Sequence, residues 1–228
     1  MISAKLIAYT QPTIAVGAST PEELISYCAR VSSPGNQENY DTAEGLLKYC
    51  IRNKHWSIFE VVNAVVEVKA PRDITRQMLR HRSFSFQEFS QRYSDDITFC
   101  DREIRMQDKT NRQNSISIDD FYNGPNQYVK DTWEEDLQEI IELVKDRYKE
   151  QREIGVAKEV ARVLLPEGLT MSKMYVNGTL RSWLHYLDVR EGNGTQKEHI
   201  QLANKCREVL TPVFPVVMGM VNADAGTT

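Results

Sequence analysis

Hydrophobic and polar positions along the chain form strand-like and helix-like stretches in mixed order. Ile2 to Tyr9 alternate enough to predict a strand. Ser19-Thr20-Pro21-Glu22-Glu23 then reads as a helix start: a capping hydroxyl, a proline in the first turn and acids behind it. That helix is predicted to run to about Arg30 and to stop before Ser33-Pro34-Gly35. A second helix fits Thr42 to Asn53, with Leu46, Leu47 and Cys50 on one face. Val61 to Lys69 is rich in valine and predicts a strand. Pro71 can open the next helix, with Ile74, Met78 and Leu79 on its apolar side and Arg72, Arg76 and Arg80 recurring on another.

The pattern then weakens. Ser94 to about Pro125 is polar and turn-rich, too long for an ordinary loop, so it is functional, mobile or hiding short elements. Helical periodicity returns over Asp131 to Gln151 and again over Glu153 to Leu165, stopped by Pro166. Thr170 to Val176 suggests a strand. Thr179 to Arg190 and Gln196 to Leu210 suggest two helices separated by Gly192-Asn193-Gly194. The order is that of an α+β protein, expected as a single domain over residues 1–228, with a mainly antiparallel sheet packed against several helices.

Composition narrows the function classes. The chain has 228 residues, 41% hydrophobic and 26% charged, which suits an ordinary globular core. A net charge of −4 argues against a protein that coats nucleic acid, but leaves room for a local basic pocket. Cys28, Cys50, Cys100 and Cys206 form no C-x-x-C pair, so zinc is not expected and reduced thiols in a cytoplasmic setting are. No signal-peptide pattern and no membrane-length apolar run is seen. No G-x-G-x-x-G follows a strand, so any dinucleotide site must be of non-Rossmann type.

The densest chemistry lies in Arg80-His81-Arg82-Ser83-Phe84-Ser85-Phe86-Gln87-Glu88-Phe89-Ser90-Gln91-Arg92. Guanidinium forks and hydroxyls can hold an anion. The phenylalanines fill core more often than they stack on ligands. Taken alone, Arg80, His81 and Arg82 are best read as solvated surface or a generic phosphate or nucleic-acid contact. His55 and His199 lack metal-ligand spacing, and no metal is expected.

The spacing of this segment resembles the RHR-x-x-S-x-x-E-x-S-x-R motif of the flavin-dependent thymidylate synthases, and the resemblance covers nearly the whole chain. Ala29-Arg30-Val31-Ser32 and His55-Trp56-Ser57-Ile58-Phe59-Glu60 are similar to family segments that approach the flavin. Gln77 stands where the family has a dUMP-contacting glutamine. Glu159-Val160-Ala161-Arg162 leads into Leu165-Pro166, and Arg162 matches a nucleotide-binding arginine. Arg181, His185 and Arg190 match family contacts to FAD and dUMP, and Thr195-Gln196-Lys197-Glu198 completes the match. Gln87 and Thr179 stand where asparagine is common, and Gly194 where histidine is common.

The resemblance implies an FAD-dependent methyltransferase that makes dTMP from dUMP, with methylenetetrahydrofolate as carbon donor and NADPH as reductant. It implies a homotetramer with FAD held between subunits, in the cytoplasm, or the host cytoplasm for a virally encoded chain. Neither nucleic acid nor membrane is implied as a partner. By the same resemblance, Ser32, His55, Ser57, Arg80, His81, Arg82, Glu88, Thr179, Arg181 and His185 contact FAD. Gln77, Arg80, Glu88, Ser90, Gln91, Arg92, Arg162 and Arg190 contact dUMP, and Arg190 polarises the pyrimidine. The residues alone leave other readings open. Arg190 can cap a helix dipole, His185 can be packed beside Trp183 and Tyr186, and the whole chain can be a non-catalytic nucleotide- or single-strand-binding protein. A simple phosphate clamp does not require the distant Arg162, Arg181 and Arg190.

Overall fold

A four-stranded antiparallel sheet carries the site. The structure, a computed structural model, describes residues 1–192 and 194–220. The elements follow in chain order as β1 (Ser3–Tyr9), α1 (Pro21–Ala29), α2 (Ala43–Arg52), β2 (Asn63–Pro71), α3 (Arg72–Met78) and β3 (Ser85–Glu88). A small hairpin, β4 (Met106–Gln107) and β5 (Ser115–Ile116), precedes α4 (Ile118–Tyr122), the long α5 (Gln127–Glu153) and the short α6 (Lys158–Ala161). β6 (Met171–Thr179), α7 (Leu180–Arg190), α8 (Lys197–Leu210) and α9 (Pro215–Met220) complete the fold. The main sheet has the order β1-β2-β6-β3, every neighbour antiparallel.

The period-two pattern places one face of the sheet in the core. In β2, Ala64, Val66, Val68 and Ala70 are buried, and in β6 Met174 and Val176 join them. α3, α7 and α8 pack on this face. Their apolar stripes supply Ile74, Met78, Trp183, Leu187 and Leu202, all buried in one cluster. A capping box fixes the start of α1: Thr20 accepts from the Glu23 backbone at 3.1 Å, and Glu23 returns the contact.

Several elements differ from the sequence expectation. Strand β2 begins at Asn63, because Val61 belongs to a preceding turn, and it runs on to Pro71. β6 continues to Thr179, past Val176, because Asn177 and Gly178 still pair with Val65 and Ala64. α5 starts at Gln127, where the Asn126 side chain accepts from Val129 N at 3.2 Å. The expected helix over Glu153 to Leu165 is divided. Glu153 ends α5, and Gly155 at φ 92° cannot continue a right-handed helix. Only Lys158–Ala161 and a tighter turn over Arg162–Leu164 remain of it. β3 and α9 had no forecast. The Ser94 to Pro125 stretch hides short elements: an isolated bridge from Phe99 to Thr170, the β4–β5 hairpin and α4. Asn193, read as part of a helix-separating turn, lies outside the described residues, as do residues 221–228 of the expected domain.

Gly178 is a close-approach glycine. A Cβ there would lie 2.2 Å from Phe84 Cδ1. Phe84 is 7% exposed, with its ring centroid 4.6 Å from that of Trp183 and 5.8 Å from that of Tyr186. The arginine-rich segment is thus pinned onto β6 and α7 by an aromatic cluster that needs a bare backbone beneath it. Gly178→Ala should therefore cost about 1–3 kcal/mol through overpacking. Chemical denaturation measures this. An unchanged midpoint would show that Phe84 has room to move.

Candidate active site

Two turns meet at the C-terminal ends of α3 and α7. Helix α3 ends at Met78, and successive backbone bonds from Arg80 N to Gln77 O (3.3 Å), His81 N to Met78 O (3.0 Å) and Phe84 N to His81 O (3.1 Å) lead the chain into β3. Helix α7 starts with Thr179 accepting from Ser182 N at 3.2 Å and delivers Arg190 in its last turn. Arg190 Nε donates to His81 Nε2 at 2.9 Å, and Nη2 reaches the Gln77 carbonyl at 3.5 Å. Behind them, His199 Nδ1 lies 3.2 Å from Gln77 Oε1, and Gln77 Nε2 donates to Gln196 Oε1 at 2.8 Å.

The electrostatics favour uncharged imidazoles beside charged guanidiniums. Burial pushes the His81 pKa down to about 4, helped by Arg190, His185 and Arg80. Burial likewise holds His199 at about 3, with Arg190 and His81 adding to the effect. His81 can therefore accept from Arg190 through a neutral ring. Burial also lowers the Arg190 pKa, and Arg80 acts in the same direction. Among the described residues, no carboxylate forms an ion pair with Arg80, Arg82, Arg162 or Arg190. Arg181 by contrast is paired with Glu60, and Arg92 with Glu159 at 3.1 Å. The arrangement suits an anionic ligand whose charge the protein itself does not supply.

The comparisons give this geometry a family. Residues 5–216 match the family model described as thymidylate synthase complementing protein. The chain belongs to this family. It is 47% identical to a probable flavin-dependent thymidylate synthase of Paramecium bursaria Chlorella virus 1, over 95% of this chain and 97% of that one. It is 45% identical to a flavin-dependent thymidylate synthase of Synechocystis, over 93% and 96%. A crystal structure of the UMP/dUMP methylase PolB from Streptomyces cacaoi, bound with 5-Br UMP, superposes with a TM-score of 0.77. That likeness covers 96% of this chain and 92% of that one at 23% identity, and carries the fold alone.

The site residues named from the family resemblance fall into three groups on this fold. His81, Gln77 and Arg190 are in contact, with the His185 ring centroid 6.3 Å from that of His81. His185 is exposed, so it is not the packed histidine that its aromatic neighbours suggested. A second group lies at the other end of α7. There Arg181 pairs with Glu60, in the turn Trp56–Glu60 that also carries Ser57 and follows His55. Ser32, just after α1, is exposed, as are His55 and Ser57. The third group follows β3: Ser90, whose Oγ accepts from Arg92 N at 3.3 Å, and Arg92, tied through Glu159 to the helix that precedes Arg162.

Two further residues named from the resemblance have partners or burial of their own. Glu88 turns its Oε1 inward, accepting from Ser172 Oγ at 2.7 Å and Thr75 Oγ1 at 3.4 Å, with Arg72 at 3.6 Å. The Arg72 contact is an ion pair without a hydrogen bond. Gln91 is 6% exposed, so it does not share the open surface of its neighbour Arg92. The sequence reading missed Glu198, Gln196 and His199 as a unit, and Arg102 and Arg105 altogether. An arginine pair inside a polar stretch has no local periodicity to reveal it. The partner they share, Glu198, is 93 positions from Arg105 in sequence, and nothing local points to it.

The half-buried His81 and the buried His199 predict an acid response. Both have folded pKa values below the ordinary 6.5, so the unfolded chain binds more protons. Their contribution to stability is complete above pH 6.5 and is lost as pH falls toward 4 and then 3. Stability measured by urea denaturation should therefore fall between pH 6.5 and 4.5, above the range where carboxylates titrate. His199→Gln should flatten that slope. An unchanged slope in the variant would assign the acid response to other groups.

Proposed function

We propose that the chain is a flavin-dependent thymidylate synthase that methylates dUMP reductively to dTMP. The observation that supports this most directly is Arg190. It is held by a neutral His81 and the Gln77 carbonyl, without a carboxylate partner among the described residues. A fixed cation of this kind stabilises negative charge as a uracil ring becomes nucleophilic at C5. His81 orients it by accepting from Nε, which leaves Nη1 and the second Nη2 hydrogen for the base. Arg162, on the turn after α6, is suited to the same nucleotide, and Ser90, Arg92 and Gln77 to its phosphate and sugar.

The proposed cofactor is FAD, which supplies the hydride that no side chain can. Methylenetetrahydrofolate supplies the carbon, and NADPH restores the reduced flavin. The exposed donors fit an anionic dinucleotide: Arg80, Arg82, Arg181, His55, His185 and the hydroxyls of Ser32 and Ser57. Thr179 is less available, because its Oγ1 is engaged at the start of α7. Arg181 and Arg190 stand about 14 Å apart along α7, a span that an extended cofactor and a nucleotide can share. In this reading Arg190 takes part in the chemistry and Arg181 in binding.

We propose a homotetramer with sites built by more than one subunit, each chain contributing as one unit over its length. The exposed donors lie on open surface of the single chain. Large apolar side chains are also exposed elsewhere on the chain, including Val163 at 81% and Val160 at 57% around α6, and Leu143 at 54% on α5. Faces of this kind are covered in closed assemblies. No helix among the described residues is long and apolar enough to cross a membrane. The proposed setting is the cytoplasm.

The deciding experiment supplies dUMP, methylenetetrahydrofolate, FAD and NADPH and measures dTMP. Product is expected, and its absence in a flavin-loaded protein would remove the proposal. Arg190→Ala should lower turnover on the order of 10²–10³-fold while flavin content stays normal. Arg190→Lys should rescue poorly, since an ammonium cannot reproduce a planar fork. Near-normal turnover in Arg190→Ala would reduce this residue to a helix cap.

Composite sites make a separate prediction. Mixing inactive Arg92→Ala and Arg190→Ala subunits should restore part of the activity. No recovery after verified subunit exchange would place both residues in the site of one chain.

A further inference from the structure

Arg190 is the last residue of α7, and Glu191 closes the helix by donating its N–H to Leu187 O at 2.9 Å. Gly192 and Gly194 lie in the connection to α8 and bring no side chain that could anchor it. The side chain of Glu191 is turned inward and is 5% exposed. Arg207, in the last turn of α8, meets it with two bonds, Nε to Oε1 at 2.7 Å and Nη2 to Oε2. Such a pair fixes the plane of the carboxylate against the plane of the guanidinium.

The same guanidinium reaches a third helix. Arg207 Nη1 donates to the Met218 carbonyl in α9 at 2.8 Å. Helix α9 is held from its other side by Glu22 of α1, whose carboxylate accepts from Val216 N at 3.3 Å and Val217 N at 2.8 Å. One side chain thus ties α7, α8 and α9 together, one residue beyond Arg190. Arg190 depends on such support. Its Nε contact to His81 is 2.9 Å, but its Nη2 contact to Gln77 O is 3.5 Å, the outer limit of a hydrogen bond. Side-chain contacts alone hold its fork loosely, so the backbone that carries it must be held elsewhere. The ion pair also has an electrostatic effect. Glu191 is the carboxylate next to Arg190 in sequence, and both of its oxygens are engaged by Arg207.

We propose that Glu191 and Arg207 are positioning residues for Arg190: their ion pair, braced by α9, fixes the end of α7 and with it the direction of the Arg190 fork. Neither residue touches the nucleotide. This rests on the reading of Arg190 as the group that polarises the pyrimidine. It also gives the C-terminal helix a part in the chemistry, because the Met218 carbonyl helps to orient Arg207.

The test uses the flavin-loaded protein well below its melting temperature. Arg207→Met should lower kcat at saturating dUMP by about ten- to a hundredfold, the loss that a small displacement of a reacting group can cause. Flavin affinity should stay normal, because Arg181 lies at the other end of α7. Arg207→Lys should recover little, since it keeps the charge without the fork. Full activity in Arg207→Lys would show that charge alone suffices and overturn orientation by the fork. A double-mutant cycle separates positioning from general weakening of the fold. Arg207→Met should weaken dUMP binding, measured calorimetrically, by about three- to tenfold in the natural sequence and by less than about twofold when Arg190→Ala is also present. Unchanged kcat in Arg207→Met, or an equal loss of affinity in both backgrounds, would overturn the positioning role and leave the reading of Arg190 intact. Should Arg207→Met not fold, Glu191→Gln carries the same cycle, because it keeps the shape and loses the charge. Near-normal turnover in Arg190→Ala would overturn the reading of Arg190 itself, and the positioning role with it.

Discussion

The ladder between β2 and β6 is the constraint on which the site depends. It runs unbroken from Asn63–Thr179 at one end to Pro71–Met171 at the other. Because the strands are antiparallel, α3 leaves the sheet at one end and α7 at the opposite end. Helix α7 then runs back across the buried face, so that Arg190 arrives where α3 stops. A one-residue slip in this register would turn Val66, Val68, Met174 and Val176 out of the core, so the hydrophobic pattern itself specifies the pairing. Phe84 over Gly178 adds the second fixed point and brings β3 along the free edge of β6. The meeting of His81 with Arg190 is a consequence of sheet register and helix length.

Within that frame the protein treats its arginines in two ways. Arg72, Arg76, Arg102, Arg105 and Arg152 each meet a carboxylate and hold elements together. Arg80, Arg82, Arg162 and Arg190 meet none among the described residues, and nearby histidines are kept neutral by burial. Leaving a partly buried guanidinium without a counter-ion costs stability. The cost is offset when an anionic ligand arrives, and the same unpaired charge then acts on the ligand. A neutral His81 is essential to this scheme. A protonated ring could not accept from Arg190 and would repel it.

Much of this was legible in the sequence where the signal is local or carried by a long motif. The valines of β2, the Thr20 cap and the apolar stripe of α8 have period and cap signatures, and the structure follows them closely. The spacing from Arg80 to Arg92 pointed to the family, and the match over residues 5–216 shows it. The failures have physical causes. Gly155 divides a helix whose apolar periodicity continues through it, because backbone conformation at one glycine overrides pattern. β4 and β5 are two residues each, too short for alternation to register.

The polar Ser94 to Pro125 stretch shows how a segment with little periodicity is held to a folded core. Ile97 and Phe99 give it a small apolar foothold under α5. The rest of the attachment is polar. Arg102 donates through Nε to Gly168 O at 2.7 Å and pairs with Asp73, its carbonyl accepts from Trp133 Nε1 at 2.6 Å, and Arg105 forks onto Glu198. Such pairs lose desolvation energy as well as gaining attraction, so they are weak sources of net stability. They are strong sources of geometry, because a bidentate fork tolerates little rotation. A segment attached by forks reproduces one arrangement each time the chain folds. An apolar patch of equal area would allow sliding.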